Sequence, residues 1–208
     1  MVATAGVAGA TAAQLSNKAT APEHVRGDVV SVADNTVTVK SRGGETLTLK
    51  LAEDARHSLA EKADLNDVRD GSFIGTTAVP QPDGTLRAIE VHVFPDSMRG
   101  TGEGHRPWDL QPGRTMMTNA TVSSVKPSST MTNATVAKMA GRKLTLKYAG
   151  GEKTVVLPSD VTVVKLEPAD RSRLSPGAHV FAVVSRQSDG TMRAERMIVG
   201  KDGLVPPM

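Results

Sequence analysis

The sequence predicts an all-β protein made of two small five-stranded β-barrels in tandem. One observation is a repeat that recurs at a nearly constant offset of 106 to 108 residues along the 208-residue chain. Another is a series of short apolar segments that alternate with polar residues and end at Gly or Pro turns. Only 2% of the residues are aromatic. The core must therefore be aliphatic, which suits the narrow interior of a small barrel.

The repeat is visible in two pairs of segments. "VTVKSRGGETLTL" (Val37–Leu49) is echoed by "LTLKYAGGEKTVVL" (Leu144–Leu157), and "DGTLRA" at 83–88 is echoed by "DGTMRA" at 189–194. Self-similarity at a fixed period indicates repeated structural units. We therefore predict two copies of one domain.

Three strands open the first copy. Residues 25–32 and 36–40 alternate apolar and polar side chains, and residues 46–51 return after the turn "RGGE". A tight hairpin needs positive φ angles, which glycine adopts freely. We predict positive φ at Gly43 and Gly44, and likewise at Gly150 and Gly151 in the second copy.

A helical segment and two further strands complete the copy. Residues 52–68 are the only stretch with a helical character, and Asp64 is placed to N-cap a short turn before Gly71 ends it. Strands at 72–79 and 87–94 follow, joined by a Pro-Asp-Gly turn. Three strands, a short helix and two strands is the connectivity of an OB-like barrel. A β-sandwich or an open meander of the same strands is the alternative.

The domain boundaries follow from the repeat. We expect a first barrel at 24–97, a Gly/Pro-rich linker with a duplicated strand-like segment at 98–129, a second barrel at 130–202 and a tail at 203–208. Residues 1–23, rich in Ala, Gly and Thr, are interpreted as a disordered tail or the remnant of a signal peptide. No apolar run reaches the ~18 residues that a membrane-spanning helix needs.

Several segments resemble a bacterial family of exported domains of unknown function. They are "VRGDVVSV", "NTVTVKSRGGETLTL", "LNDVRDGSFIGTTA" and "DGTLRAIEVHVF". The segment "GTGEGHRPWDL" resembles a subgroup sometimes labelled metal-transporter permeases, a label that a chain without a membrane span contradicts. The resemblance implies tandem small OB-like barrels and a periplasmic or secreted location, but no chemistry. The absence of Cys is compatible with export. A complete, uncleaved N-terminus would instead indicate the cytoplasm.

The linker between the repeats holds the only Trp of the chain. We expect Trp108, flanked by Pro107 and Leu110, to pack against the barrels, with His105 and Arg106 hydrogen-bonding around it. The alternative interpretation is a divalent-metal site. Its ligands would be Glu103, His105, Asp109 and His92, although no recognised spacing links them.

Charge differs between the two copies. Residues 24–97 carry 8 basic and 12 acidic groups, whereas residues 115–208 carry 13 and 7. The second copy could hold a polyanion through Lys138, Arg142, Lys143 and Lys147. Its few aromatic residues argue against nucleic-acid binding, which commonly uses aromatic stacking. Opposite charge also predicts self-association between the repeats.

No catalytic motif is present: the sequence contains no nucleophile elbow and no phosphate-binding loop. We therefore expect a non-enzymatic binding or structural module of the bacterial envelope, with no cofactor and with an unidentified protein or envelope partner. Binding of a polyanion or nucleic acid by the second repeat is one alternative, and periplasmic divalent-metal binding is another.

Overall fold

The computed structural model describes residues 22–128 and 141–208. Within these ranges the chain forms strands connected by short turns, with four 3-10 turns at Leu65–Asp67, Asp96–Met98, Arg171–Arg173 and Lys201–Gly203. The strands of the first half are β1 (Glu23–Ala33), β2 (Thr36–Ser41), β3 (Thr46–Lys62), β4 (Phe73–Pro80) and β5 (Leu86–Phe94). Those that follow are β6 (Gly104–Trp108), β7 (Thr115–Ser128), β8 (Gly141–Tyr148), β9 (Gly151–Leu157), β10 (Thr162–Pro168), β11 (His179–Arg186) and β12 (Met192–Gly200).

Five strands close a β-barrel, which we call barrel A. Strand β1 pairs with β2 and β2 with β3, both antiparallel. Strand β3 then pairs in parallel with β12, and β11 bridges β12 back to β1. The interior is aliphatic, as the low aromatic content predicts, and includes the buried side chains Val29, Val39, Leu49 and Met197.

A second set of pairings, which we call circuit B, also returns to its starting strand. Strands β4, β7, β8 and β9 pair in antiparallel order. Strand β5 pairs in parallel with β9 at Leu86 and Arg87 and antiparallel with β4. Strand β10 lies between β3 and β5 and joins the two sets into one sheet. The side chains that circuit B buries are again mainly aliphatic, among them Ile74, Leu144 and Leu146.

The two halves of the sequence exchange strands. Barrel A takes β1–β3 from the first copy and β11–β12 from the second, whereas circuit B takes β4–β5 from the first and β7–β9 from the second. The predicted division into consecutive barrels at 24–97 and 130–202 is not what the pairings show. Because both copies carry the same alternating pattern, a strand pair from either copy fits the same sheet edge. The sequence repeat therefore cannot distinguish exchanged from unexchanged pairing.

The predicted helical segment at 52–68 is wrong over most of its length. Residues up to Lys62 continue β3, which pairs with β12 on one side and β10 on the other. These neighbours bury Ser58, Leu59 and Ala60, and tertiary pairing of this kind overrides local propensity. Only the 3-10 turn Leu65–Asp67 remains. The predicted cap is confirmed, because the Asp64 carboxylate accepts a hydrogen bond from the Asn66 backbone N–H at 2.7 Å.

The positive φ angles predicted for the paired glycines are found at one glycine of each pair. Positive φ is confirmed at Gly44 (90°) and Gly151 (141°), but Gly43 and Gly150 do not have it. In the first hairpin the Gly44 N–H donates to the carbonyl of Ser41 at 2.9 Å. One residue with positive φ is therefore enough to reverse the chain direction in this hairpin.

The predicted linker at 98–129 contains two strands. The first copy of the duplicated segment lies in β7, which pairs with β4 and β8. The second copy, at 130–136, lies outside the described residues, as do residues 1–21. The predicted tail at 203–208 packs on the protein, since Arg42 donates to the Pro206 carbonyl and the Met208 side chain is buried. In the two described ranges, no helix is long and apolar enough to cross a membrane.

The aromatic residues concentrate where the two units meet. Phe73, Phe94, Trp108 and Phe181 form a third buried cluster together with Ile198, Leu166 and Met117. They account for all three Phe residues and the single Trp of the chain. The Phe and Trp side chains are thus placed between barrel A and circuit B rather than inside either.

Candidate ligand-binding site

A cavity of about 790 Å³ lies beside this third cluster, between barrel A and circuit B. Strands β3, β11 and β12 supply one wall, and strands β5, β6 and β7 supply the other. Its apolar lining includes Phe94, Met98, Trp108, Phe181 and Ile198. Its volume and its place between two structural units are typical of small-molecule sites.

Three residues that line this cavity have a buried polar atom without a hydrogen-bonding partner. These atoms are the indole Nε1 of Trp108, Oδ1 of Asn119 and Nε2 of His92. Trp108 is 8% exposed, Asn119 5% and His92 2%. A buried polar atom left unpaired costs about 1–3 kcal/mol. Two further buried atoms without a partner, Nδ1 of His57 and Oε2 of Glu90, belong to residues that do not line the cavity.

Asn119 is positioned by a hydrogen bond of its amide and lies in space that the neighbouring Gly75 leaves free. Its Nδ2 donates to the Thr101 carbonyl at 3.0 Å. A Cβ atom at Gly75 on β4 would lie 2.7 Å from Asn119 Oδ1 and 3.2 Å from His92 Nδ1. Glycine at position 75 therefore makes room for both polar side chains.

His92 is oriented by a buried glutamate. Its Nε2 lies 3.2 Å from Glu90 Oε1, but off the direction of a hydrogen bond, so the contact is electrostatic. The same Glu90 oxygen accepts a hydrogen bond from the Thr77 hydroxyl at 2.5 Å. Glu90 is 1% exposed. It therefore lies behind His92 and supports the polar wall without reaching the surface.

Four arginines also line the cavity: Arg56 on β3, Arg106 on β6, and Arg193 and Arg196 on β12. Two lining carboxylates oppose them. Asp54 lies 3.4 Å from Arg193, and Glu195 accepts a hydrogen bond from Ser185 at 2.9 Å. Arg56 and Arg196 form no hydrogen bond or ion pair with any described residue. Positive charge at this cavity thus exceeds the negative charge available to neutralise it.

The predicted linker residues lie at this site. Trp108 is buried, as predicted, and its ring lies 4.2 Å from that of His24 on β1. Arg106 stacks over Trp108 at 5.6 Å and donates to the Gly102 carbonyl. His105 instead bonds Thr118. Both side chains therefore form hydrogen bonds, Arg106 while it lies over the indole and His105 towards β7, but neither bond involves the indole itself. Pro107 is exposed, and Leu110 packs on the third cluster.

The four proposed metal ligands do not come together. Glu103 accepts a hydrogen bond from the Ala149 N–H at 2.8 Å, and His105 bonds Thr118. His92 faces Glu90. Among the residues that the structure describes, no group of three or more His, Cys, Asp and Glu side chains could hold a metal ion.

Asp109, the remaining member of that set, ties the end of β6 to barrel A. Its two carboxylate oxygens accept hydrogen bonds from Arg26 at 2.7 and 3.1 Å, and His24 Nδ1 lies 3.0 Å away. Burial alone would raise the pKa of Asp109. The hydrogen bonds and charges of His24 and Arg26 outweigh burial and hold this pKa well below its ordinary value.

The predicted polyanion residues are only partly available. Arg142 donates to the carbonyls of Leu65 and Val68 and therefore links β8 to the 3-10 turn. Lys143 and Lys147 are exposed on one face of β8. Lys138 lies outside the described residues.

The charge difference between the two halves of the sequence does not make one strand set acidic and the other basic. Residues 23–62 and 179–200, which form barrel A, carry 9 basic and 9 acidic groups. Residues 73–94, 115–128 and 141–157, which form circuit B, carry 6 and 3. Neither set is acidic, so the predicted attraction between an acidic and a basic barrel loses its basis.

Comparison of the chain with protein-family models, curated proteins and solved structures finds no match. The site therefore has to be interpreted from its own chemistry.

Sequence reasoning singled out His92, Arg106 and Trp108, but it missed Arg56, Arg193, Arg196, Asn119 and Phe181. A signal was nevertheless present in the repeat. Matched positions 106 residues apart carry unlike residues at the cavity: Gly75 and Phe181, Glu90 and Arg196, and His92 and Ile198. A repeat keeps its pattern where the fold needs it, so unlike pairs mark positions with another role.

Proposed function

We propose that this chain is a non-enzymatic binding protein for a small organic ligand, which it holds in the cavity between two OB-like barrels. In this interpretation barrel A and circuit B are both OB-like and have exchanged their last two strands. The strand order supports it: β1-β2-β3-β12-β11 closes on β1, and β7-β8-β9-β5-β4 closes on β7. In each, the third strand pairs in parallel with the last one.

An exported location in the bacterial envelope is part of the same proposal. It rests on the resemblance of segments such as "NTVTVKSRGGETLTL" to exported bacterial domains and on a chain without cysteine. A binding module in that location would take up its ligand from the surrounding medium or from the membrane surface.

The observation that carries the proposal is the set of unpartnered polar atoms of Trp108, Asn119 and His92. Buried polar groups in native proteins are nearly always hydrogen-bonded, and exceptions call for a functional reason. Among the described residues, three of the five exceptions belong to residues that line one cavity. A ligand that accepts from the indole N–H and donates to the Asn119 oxygen would explain two of them, and a polar ligand group beside His92 would explain the third.

Binding without catalysis is consistent with the surroundings of the buried Thr77 hydroxyl, Glu90 carboxylate and His92 imidazole. The Thr77 hydroxyl is 0% exposed and donates to Glu90. Glu90 in turn faces His92. A nucleophile must reach its substrate, whereas this hydroxyl is fully buried and its proton is engaged by the carboxylate.

The test uses N-phenyl-1-naphthylamine, an uncharged aromatic probe whose emission rises in apolar surroundings. We expect saturable binding to the wild-type protein. Val183→Phe places a larger side chain in the cavity wall and should weaken binding at least tenfold. Val30→Phe makes the same substitution at a side chain that is 50% exposed and does not line the cavity, and should leave binding unchanged.

Thermal unfolding of both variants would confirm that each is folded. Absence of probe binding to the wild type, or equal binding by the wild type and Val183→Phe, would show that the cavity is not a ligand site.

A further inference from the structure

We infer that the natural ligand is an amphipathic organic anion, with its carboxylate or phosphate group among Arg56, Arg106 and Arg196 and its apolar body against Phe94, Phe181 and Ile198. This inference rests on the proposed function and adds the chemical class of the ligand. It follows from the register of β3 and β12, from the excess of positive charge at the cavity and from the shape of the site.

The register places two of these arginines side by side. Arg196 on β12 and Arg56 on β3 are direct partners in the parallel pairing that closes barrel A. Cross-strand partners project from the same face of a sheet, and like charges at such positions destabilise it. A paired anion would remove this repulsion, because one carboxylate or phosphate can accept hydrogen bonds from both guanidinium groups.

The positive charge is also partly withdrawn from water. Burial lowers the pKa of Arg196, and the neighbouring charges of Arg56 and Arg106 lower it further. Burial likewise lowers the pKa of Arg106. An arginine stays protonated in proteins, so these groups remain cationic and gain from an anion that replaces lost hydration.

The apolar part of the ligand is indicated by the aromatic cluster. Phe181 stacks under Arg26 and near Trp108, and Ile198 lies two residues after Arg196 on the same strand. Residues two apart on a strand share one face. An anionic head at Arg196 would therefore place an attached apolar chain along Ile198 and towards Phe181.

A polymer does not fit this arrangement as well. The arginines line a cavity between two structural units, whereas nucleic acids are held in open grooves with successive stacking platforms. The aromatic residues here lie within one buried cluster. A single small amphiphile is the occupant that uses both the charge and the apolar surface.

The experiment is competition against bound N-phenyl-1-naphthylamine by dodecanoate, dodecyl phosphate and dodecanol. All three share one alkyl chain, and only the first two are anionic. In the wild type we expect both anions to displace the probe at concentrations at least tenfold below that of dodecanol. Inorganic phosphate alone should displace none. Preference for one anion over the other would identify the head group.

Arg196→Met removes one charge and keeps an apolar side chain of similar length. It should reduce the tenfold preference to about twofold or less while the probe still binds. Arg196→Lys should keep part of the preference. Arg87→Met is the matched control, because Arg87 is exposed and does not line this cavity. It should behave as the wild type.

Thermal unfolding without ligand gives a second, independent measurement. Since Arg196 opposes Arg56 across the strands, Arg196→Met should raise the midpoint of unfolding, whereas Arg87→Met should not. Equal displacement by dodecanol and dodecanoate, or an unchanged preference in Arg196→Met, would overturn the anionic ligand while leaving the proposed function intact. Failure of the probe to bind the wild type would remove both.

Discussion

The two walls of the cavity come from matched strands of the repeat, yet their chemistry differs. In the first half, His92 of β5 lines the cavity, and Glu90 of β5 and Gly75 of β4 lie next to it. At the matched positions of β11 and β12 the chain carries Phe181 and Arg196 together with Ile198. The aliphatic interiors of barrel A and circuit B remain alike. The two halves are alike where they close the sheets and differ where they face each other, so the cavity is asymmetric.

The largest effect is expected from β6, the strand that connects the two units. Strand β6 brings Trp108 from circuit B onto β1 and β11 of barrel A. Trp108→Ala should lower the free energy of unfolding by on the order of 3 kcal/mol, because a packed indole is lost. Denaturant unfolding measures this.

The native emission of this single Trp should also be blue-shifted and poorly quenched by acrylamide. Emission like that of free tryptophan, together with an unchanged stability, would mean that β6 does not hold the two units together.

The polar wall can be tested by adding a single carbon. Gly75→Ala places a Cβ atom 2.7 Å from Asn119 Oδ1 and should destabilise the protein by about 2 kcal/mol, because a tightly packed site cannot absorb the extra volume. The matched control is Gly43→Ala, where the nearest atom to the new Cβ is 3.6 Å away. Equal stability of the two variants would show that the space beside Asn119 and His92 can accept a side chain at position 75.

The shared part of the two copies can be tested at the hairpins. Gly44→Ala forces a Cβ into the left-handed region and should cost about 1 kcal/mol. Gly151→Ala should cost a similar amount, since both glycines have positive φ. Gly43→Ala is the control, because Gly43 does not have positive φ and a Cβ there would have its nearest neighbour 3.6 Å away. A cost at Gly44 but none at Gly151 would show that the two hairpins are not equivalent.

The smallest effect is expected from the ion pair between Asp109 and Arg26. Because the folded-state pKa of Asp109 is depressed, its contribution is present above its ordinary value of 3.8 and is lost as pH falls below it. The wild type should therefore have a higher thermal midpoint than Asp109→Asn at pH 7. This difference should shrink below about pH 4. Asp160→Asn, at an exposed turn residue, should show no such dependence.

The strands of each copy could be predicted from the sequence because alternation and turn residues are local signals. The strand at 87–94, for example, is β5 (Leu86–Phe94). Which strand pairs with which could not be predicted, because the repeat offers two equivalent partners for β11 and β12. The extension of β3 to Lys62 was missed for a related reason. Its neighbours are distant in sequence, and "AEDARHSLAEK" taken alone favours a helix.

The site was predictable only in part, and for a similar reason. Trp108 stood out because it is the single Trp in a polar segment. Arg196 did not, since an arginine on an alternating strand is normally solvated. Its significance comes from the register with Arg56, which depends on the exchanged pairing of β12 with β3. Chemistry that arises from pairing between distant segments leaves no local pattern.

The exchange of strands also determines the order in which this protein can fold. Leu49 pairs with Met192, so barrel A cannot close until β12 has left the ribosome, and β4–β5 must wait for β7–β9. Such distant pairings give a high contact order and slow folding. Since each unit contains strands of both halves and β10 links the two in one sheet, we expect them to melt in one cooperative transition. A single cut in the chain between β5 and β6 would divide the strands of both units between two fragments and loosen both at once.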